Sequence, residues 1–287
     1  MDRVDENSFE NLVVLGTGGF SKVVLARKNC GLDQGKLFAV KSIKKSTLSK
    51  SEIKSICTEK DIMASFNHPF IVKLFYAWQN EYKLYMALEF LACGDFLTLI
   101  QRKQLDETEC RFYMSELVLA LNFLHDTGVI YRDLKPENIL IDEKGHLKLT
   151  DFGTAEIKVS EKKLHQTSGT IHYMAPEMIS PIFYKGYTKS CDWWSFGVVV
   201  YRVLVGILPL KLQNENGNNY FGIKNKIMYG ELEFNETSFI SDVAKDFMMK
   251  LLVKTPDDRL GASGGQEVKE HQFFQDVDVK VVKMSIF

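Results

Sequence analysis

The stretch from Val129 to Asp142, VIYRDLKPENILID, constrains this chain most, because it sets polar side chains inside an apolar frame. The flanking Val129, Ile130, Ile139, Leu140 and Ile141 would pin the loop into a core, holding Asp133, Lys135 and Asn138 close together. Asp133 could accept a proton, Lys135 could neutralise a developing negative charge, and Asn138 could coordinate a hard metal ion through its oxygen. A second carboxylate, Asp151 in LTDFG, follows a strand-like run from His146 to Thr150. One carboxylate to orient a hydroxyl, and another with an amide to hold Mg2+, are the parts that phosphoryl transfer needs.

The 287 residues exceed the common size of one domain and predict two lobes. With 45 % hydrophobic and 25 % charged residues, the chain can bury a full core. A formal net charge of −1 gives no electrostatic reason to expect nucleic acid or an anionic membrane as partner. The most apolar run, Trp193 to Leu210, contains Arg202 and Pro209 and predicts a buried helix, with no membrane insertion. Five cysteines (Cys30, Cys57, Cys93, Cys110, Cys191) are scattered without a Cys-x-x-Cys pair, which argues against a disulfide framework and a zinc site. That usage fits a reducing intracellular compartment, cytoplasmic or nuclear, and the polar, acidic Met1 to Glu10 is not a secretory leader.

Residues Asn11 to Arg27 read strand, glycine-rich turn, strand, with Leu15, Gly16 and Gly18 leading into a turn whose third glycine is replaced by Ser21. Glycines there let backbone N–H groups approach phosphate oxygens. The turn lacks the glycine before Lys22 that a Walker A loop needs, which excludes a P-loop nucleotidase. A third strand, Leu37 to Ile43, puts Ala39 and Lys41 on one face. A lysine flanked by Phe38, Ala39 and Val40 needs a partner, and Glu59, in the helical stretch Lys50 to Phe66, is the candidate. Strand-like runs at Ile71 to Gln79 and Lys83 to Glu89 complete five strands before residue 90. The period then changes: Asp106 to Thr127 is an amphipathic helix opening on a capping box, Asp106 with Glu109, and stopping at Gly128. From Ser190 the pattern is helical, interrupted by a polar insertion from Gln213 to Asn219.

Taken in order, LGTGGFSKV, FAVK, YRDLKPEN, DFG and APE (Ala175 to Glu177) resemble the protein-kinase motifs over essentially the whole chain. Tyr131, Thr150 and DWWSFGVVVY from Asp192 are similar to the AGC group of serine/threonine kinases, and GTIHYMAPE to its mitogen- and stress-activated branch. The resemblance implies an α+β bilobal kinase fold. Residues 1–88 would form an N-terminal lobe with a five-stranded antiparallel sheet and one major helix, 89–94 a hinge, and 95–287 a mainly helical C-terminal lobe with the activation segment at 151–177. It implies ATP and Mg2+ as cofactors, with Lys41 on the α/β-phosphates held by Glu59, and Asp151 with Asn138 on the metal. Asp133 would be the base and Lys135 would face the transferring phosphoryl group. Adenine would lie between Val23, Ala39 and Leu140, with Leu88 behind it and the backbone of Glu89 to Leu91 as hydrogen-bond partner; Leu15, Gly16 and Gly18 would cover the phosphates. Asp95 would reach the ribose or a basic substrate side chain, Glu137 would favour basic residues N-terminal to the acceptor, and Thr170 would line the substrate site. Thr154, directly after the DFG, hints at Thr over Ser as acceptor. Met63, Leu74, Tyr131 and Phe152 resemble an apolar spine resting on Asp192, and Glu177 with Arg259 a pair tying down the activation segment.

The departures concern regulation. Gln166 stands where the group's activation phosphate is expected, and Glu156 replaces the basic residue that receives it. Either Glu156 pairs with Arg132 in the phosphate's stead, or an upstream activating kinase uses a shifted site at Thr167 or Ser168. The expected function is transfer of the γ-phosphoryl group of ATP to Ser or Thr of proteins; the alternative is a nucleotide-binding pseudokinase acting as a scaffold or allosteric partner. Lys135, two after the base, disfavours a tyrosine kinase.

Overall fold

The alternating residues before residue 90 pair into one five-stranded antiparallel sheet in the computed structural model, which describes residues 4–18, 21–157, 164, 169–210, 220–234 and 240–275. The strands are β1 (Phe9–Thr17), β2 (Ser21–Lys28), β3 (Leu37–Lys44), β4 (Leu74–Gln79) and β5 (Lys83–Glu89), in the order β1-β2-β3-β5-β4. On β3 the period of two decides what is buried: Phe38 and Val40 join Phe9, Ala26, Tyr85 and Ala87 in one apolar cluster, while Ala39 and Lys41 take the opposite face. Trp78 stacks on both Phe9 and Tyr85 at centroid distances of 4.9 Å, locking strands β1, β4 and β5 by aromatic packing.

Helix α1 (Lys50–Ser65) starts at a capping box in which Ser49 accepts from Glu52 N and Glu52 accepts from Ser49 N. It ends one residue short of the expected Phe66, which takes an extended cap conformation. Strand β4 also begins later than the apolar run suggested. Phe70, Ile71 and Val72 are buried by packing, in a turn closed by the Ile71 N–H donating to His68 O, so apolar character there does not signal a ladder.

The chain divides by internal contacts into two compact units, Met1–Ala92 with Thr150–Gly153, and Cys93–Leu149 with Thr154–Phe287. The second unit holds α2 (Phe96–Arg102), α3 (Glu107–Asp126), α4 (Pro176–Ile179), α5 (Ser190–Val205), α6 (Tyr220–Tyr229), α7 (Asp242–Leu251) and α8 (Gly265–Glu270). It also holds two small ladders, β6 (Val129–Ile130) with β9 (Glu156–Ile157), and β7 (Ile139–Ile141) with β8 (Leu147–Leu149). The capping box of Asp106 and Glu109 opens α3, whose apolar face buries Cys110, Met114, Leu117, Val118, Leu121 and Leu124. Helix α5 is apolar nearly all round and is buried accordingly. Among the described residues no helix is long and apolar enough to cross a membrane. The insertion from Gln213 to Asn219 lies outside the described residues.

Contacts of the buried Glu177 and Glu116 help lock this unit. Arg259 donates from both terminal nitrogens to Glu177, at 2.5 and 2.9 Å, with both side chains fully buried, and also donates to the carbonyls of Ser190 and Val253. On α3, the buried Glu116 carboxylate accepts the Leu147 N–H at 2.7 Å and lies 2.6 Å from His146 Nδ1, tying the β7–β8 hairpin to the helix. Burial pushes the Glu116 carboxyl from an ordinary 4.5 up to about 7, against the pull of the Leu147 N–H and His146. A raised folded-state value means that its contribution to stability, present below pH 4.5, is lost as pH rises through 7. The thermal midpoint of the wild type minus that of Glu116→Gln should therefore fall across this window in thermal melts; a constant difference would contradict it.

Candidate active site

In the first unit, Lys41 on β3 and Glu59 on α1 meet: Lys41 Nζ donates to Glu59 Oε1 at 2.7 Å and lies 3.5 Å from Asp151 Oδ1. Glu59 is 2 % exposed and Asp151 52 %, so one carboxylate is locked into the core while the other faces solvent. Burial opposes the Lys41 charge, but the Glu59 and Asp151 carboxylates outweigh it and hold its pKa above the ordinary lysine value. Burial pushes Glu59 upward in turn, against the pull of Lys41. Asp151 adopts φ 54°, a left-handed conformation that aspartate tolerates better than most non-glycine residues because its side chain can bond the local backbone, here Gly153 N at 3.4 Å.

The remaining first-unit candidates lie along the sheet. Val23 pairs with Lys41, and Ala39 with Leu88, so these four sit on rungs two residues apart along β3. Glu89 exchanges hydrogen bonds with Lys73 next to the end of β5, and Leu91 follows half-buried. Leu15 is exposed, Gly16 pairs with Val23, and the Gly18 N–H donates to Ser21 O at 2.8 Å. A Cβ on Gly18 would stand 3.0 Å from Ser21 Oγ, so the serine that replaces the third glycine makes Gly18 harder to replace.

In the second unit, Asp133 is the acceptor of a dense set of donors. Its Oδ2 takes Lys135 Nζ at 2.7 Å and Asn138 Nδ2 at 2.9 Å; its Oδ1 takes Thr170 N at 3.0 Å and Thr170 Oγ1 at 3.1 Å. Lys135 Nζ also donates to Thr170 Oγ1 at 2.7 Å. Asn138 directs its amide N–H groups to the Asp133 carboxylate and carbonyl, which leaves its oxygen as the atom for a cation. A Cβ at Gly169 would lie 2.6 Å from Arg132 O, and its φ of 104° suits only glycine, so this glycine lets Thr170 come close enough to bond Asp133.

The loop is braced from α5. Fully buried Asp192 accepts the N–H of Tyr131 at 2.9 Å and of Arg132 at 2.8 Å, and lies 2.8 Å from His125 Nε2. These bonds hold Arg132 at φ 70°. The Arg132 guanidinium then donates to Thr154 O, to Tyr187 Oη at 3.1 Å and to Glu156 Oε2 at 3.3 Å. Glu156 is 44 % exposed, and its backbone pairs with Ile130 in the β6–β9 ladder. Thr167 and Ser168 lie outside the described residues. Asp95 spends Oδ1 on capping α2 at Thr98 N, 2.7 Å away, and its backbone bridges to Leu140. Glu137 is exposed in the turn Pro136–Asn138.

Each unit thus carries polar groups suited to phosphate chemistry: a paired lysine with a half-exposed carboxylate in one, and a carboxylate, lysine and amide in the other. Residues 9–274 match the family described as protein kinase domain. The chain belongs to that family.

This kinase domain is 43 % identical over 279 residues to ribosomal protein S6 kinase alpha-6 of Homo sapiens, covering 96 % of the chain and 36 % of that relative. Ribosomal protein S6 kinase alpha-3 of Mus musculus is 43 % identical over 281 residues, with 96 % and 37 % covered. The chain therefore spans little more than a third of the length of the curated relatives it matches. The AGC-group resemblance carried by Tyr131, Thr150 and the stretch from Asp192 agrees with these relatives, and the fold is the α+β kinase fold with a five-stranded antiparallel sheet. Tyr187 and Ser55 entered the site without a signal in the sequence, because each is brought to its partner by residues far along the chain.

Proposed function

We propose that this kinase domain transfers the γ-phosphoryl group of ATP to a serine or threonine hydroxyl of a protein substrate. The donor set on Asp133 carries the proposal: a carboxylate whose position is fixed by Lys135, Asn138 and Thr170 can orient a hydroxyl and accept its proton. An acceptor hydroxyl replaces the longest of these bonds, that from Thr170 Oγ1, which keeps its contact with Lys135. Lys135 then faces the negative charge of the group in transfer, while Lys41, kept cationic by Glu59, binds the phosphates. The oxygens of Asn138 and Asp151 are hard donors that suit Mg2+. When bound, Mg2+ supplies charge neutralisation of the β- and γ-phosphates. Val23, Ala39, Leu88, Glu89, Leu91 and Leu140 are the proposed nucleotide contacts.

The exposed Glu137 and the remaining oxygen of Asp95 support a preference for Arg or Lys N-terminal to the acceptor, and Thr154 supports Thr over Ser. Relatives named for a protein, ribosomal protein S6, support a protein acceptor. Five free cysteines, three of them exposed, suit an intracellular setting, cytoplasmic or nuclear. The Arg132–Glu156 contact supports an activation segment that a carboxylate orders without phosphorylation. Because Glu156 is half-exposed, this pair contributes only about 0–1 kcal/mol, so Glu156→Gln should lower the rate about fivefold at most.

The test uses protein shown by intact mass to be unphosphorylated, with Mg2+, ATP and a degenerate peptide library. Transfer enriched for N-terminal Arg or Lys is the expected result. Activity appearing only after phosphorylation at Thr167 or Ser168 would overturn the carboxylate account. No transfer above an Asp133→Asn background would overturn the catalytic reading and leave the pseudokinase alternative.

A further inference from the structure

Helix α1 touches the segment Thr150–Gly153 at two rungs one helical turn apart. Glu59 reaches Lys41 and, through it, Asp151, while Ser55, four residues earlier, donates from Oγ to Gly153 O at 2.7 Å. The direction of the Ser55 hydroxyl is informative. Helical Ser and Thr commonly return their hydroxyl to a carbonyl of the preceding turn, as Thr58 does to Lys54 O and Ser65 to Ile62 O on this same helix. Ser55 instead turns outward to a residue 98 positions away.

The metal-facing carboxylate needs such a tether. Asp151 is half-exposed at φ 54°, and its two side-chain contacts, Lys41 Nζ at 3.5 Å and Gly153 N at 3.4 Å, are long. Phe152 is fully buried and anchors the middle of the segment. Gly153 sits against the same cluster, since a Cβ there would stand 3.3 Å from Asp151 Oδ1 and 3.7 Å from Glu59 Oε2. Holding the Gly153 carbonyl therefore limits where the Asp151 carboxylate can point.

We propose that Ser55 is a positioning residue for Asp151: its hydroxyl clamps Gly153 to α1, so that the helix that keeps Lys41 in place also aims the carboxylate that takes the metal. This inference rests on the proposed role of Asp151 as a Mg2+ ligand. It predicts an effect confined to metal-dependent nucleotide binding. An exposed hydrogen bond that water can partly replace has a modest net value, which translates to about a 3- to 10-fold effect.

The experiment titrates ADP into the chain by calorimetry, with Mg2+ and with EDTA, for wild type, Ser55→Ala and Ser55→Thr. Alanine favours helix at this exposed position, so the fold is retained, and the thermal midpoint checks it. The expected result is a gain in ADP affinity on adding Mg2+ that is about 3- to 10-fold smaller in Ser55→Ala, with metal-free affinity unchanged and the gain restored in Ser55→Thr. The Mg2+ concentration giving half-maximal transfer should rise by the same factor. An unchanged Mg2+-dependent gain in Ser55→Ala, or an equal loss of affinity with and without the metal, would overturn the inference alone. No Mg2+-dependent gain in the wild type would overturn the reading of Asp151 on which it rests, and the inference with it.

Discussion

Asp133→Asn is expected to slow phosphoryl transfer at least about 10²-fold while nucleotide affinity stays close to that of the wild type. The substitution keeps the shape of the side chain and removes its ability to take a proton. It also leaves a mismatch, because the site offers donors to both oxygens: Lys135 and Asn138 to one, Thr170 to the other. An amide presents one acceptor and one donor, so whichever way it turns, one side faces a donor like itself. The loss therefore combines the missing base with a disturbed Lys135, and the upper part of the usual 10²- to 10⁴-fold range for base catalysis is the expected region. Lys41, Glu59 and Asp151 belong to the other compact unit, so nucleotide titration should separate binding from chemistry. A rate loss below about tenfold, or an affinity loss as large as the rate loss, would contradict the assignment.

Arg259→Ala should cost about 3–5 kcal/mol of stability, because it strands the fully buried Glu177 carboxylate without its partner. The same change frees the carbonyls of Ser190 and Val253 and removes a guanidinium 5.2 Å from the Trp194 ring centre. At this size the shift in thermal midpoint is on the order of 10 °C. The physics makes a second, sharper statement. Pairing Arg259→Met with Glu177→Gln removes both charges together, so the double variant should lose less than the sum of the two single losses. Urea denaturation of the four proteins measures this directly. A single Arg259→Ala loss under about 1 kcal/mol would mean that the pair is not buried as described.

Much of the fold was legible because its causes are local. The capping box at Asp106–Glu109 spans one helical turn, so the sequence alone marks the start of α3. The alternation along β3 assigns Phe38 and Val40 to one face and Lys41 to the other, whatever the neighbouring strands are. The same alternation could not place the start of β4, since burial of Ile71 and Val72 by packing produces an apolar run without a ladder.

The candidate site divides in the same way. Asp133, Lys135 and Asn138 lie within six positions of one another, so their mutual contacts are built into one tight loop. The Lys41–Glu59 contact was inferable because a lysine on an apolar strand demands a counter-charge, and the next helix offers one. The Arg132–Glu156 contact was one of two readings that the family resemblance left open, and Glu156 lies 3.3 Å from the Arg132 guanidinium beside the β6–β9 ladder. What no local rule could decide was the choice among several competent partners. Tyr187 on Arg132, His146 on Glu116 and Gly153 O on Ser55 were each one possibility among many in the chain. A hydroxyl, carboxylate or guanidinium bonds any suitable group within about 3 Å, and which group arrives there depends on how whole elements pack. The residue types and their short spacings thus determined the chemistry available to this protein, whereas packing of distant segments alone decided which of those groups hold one another in place.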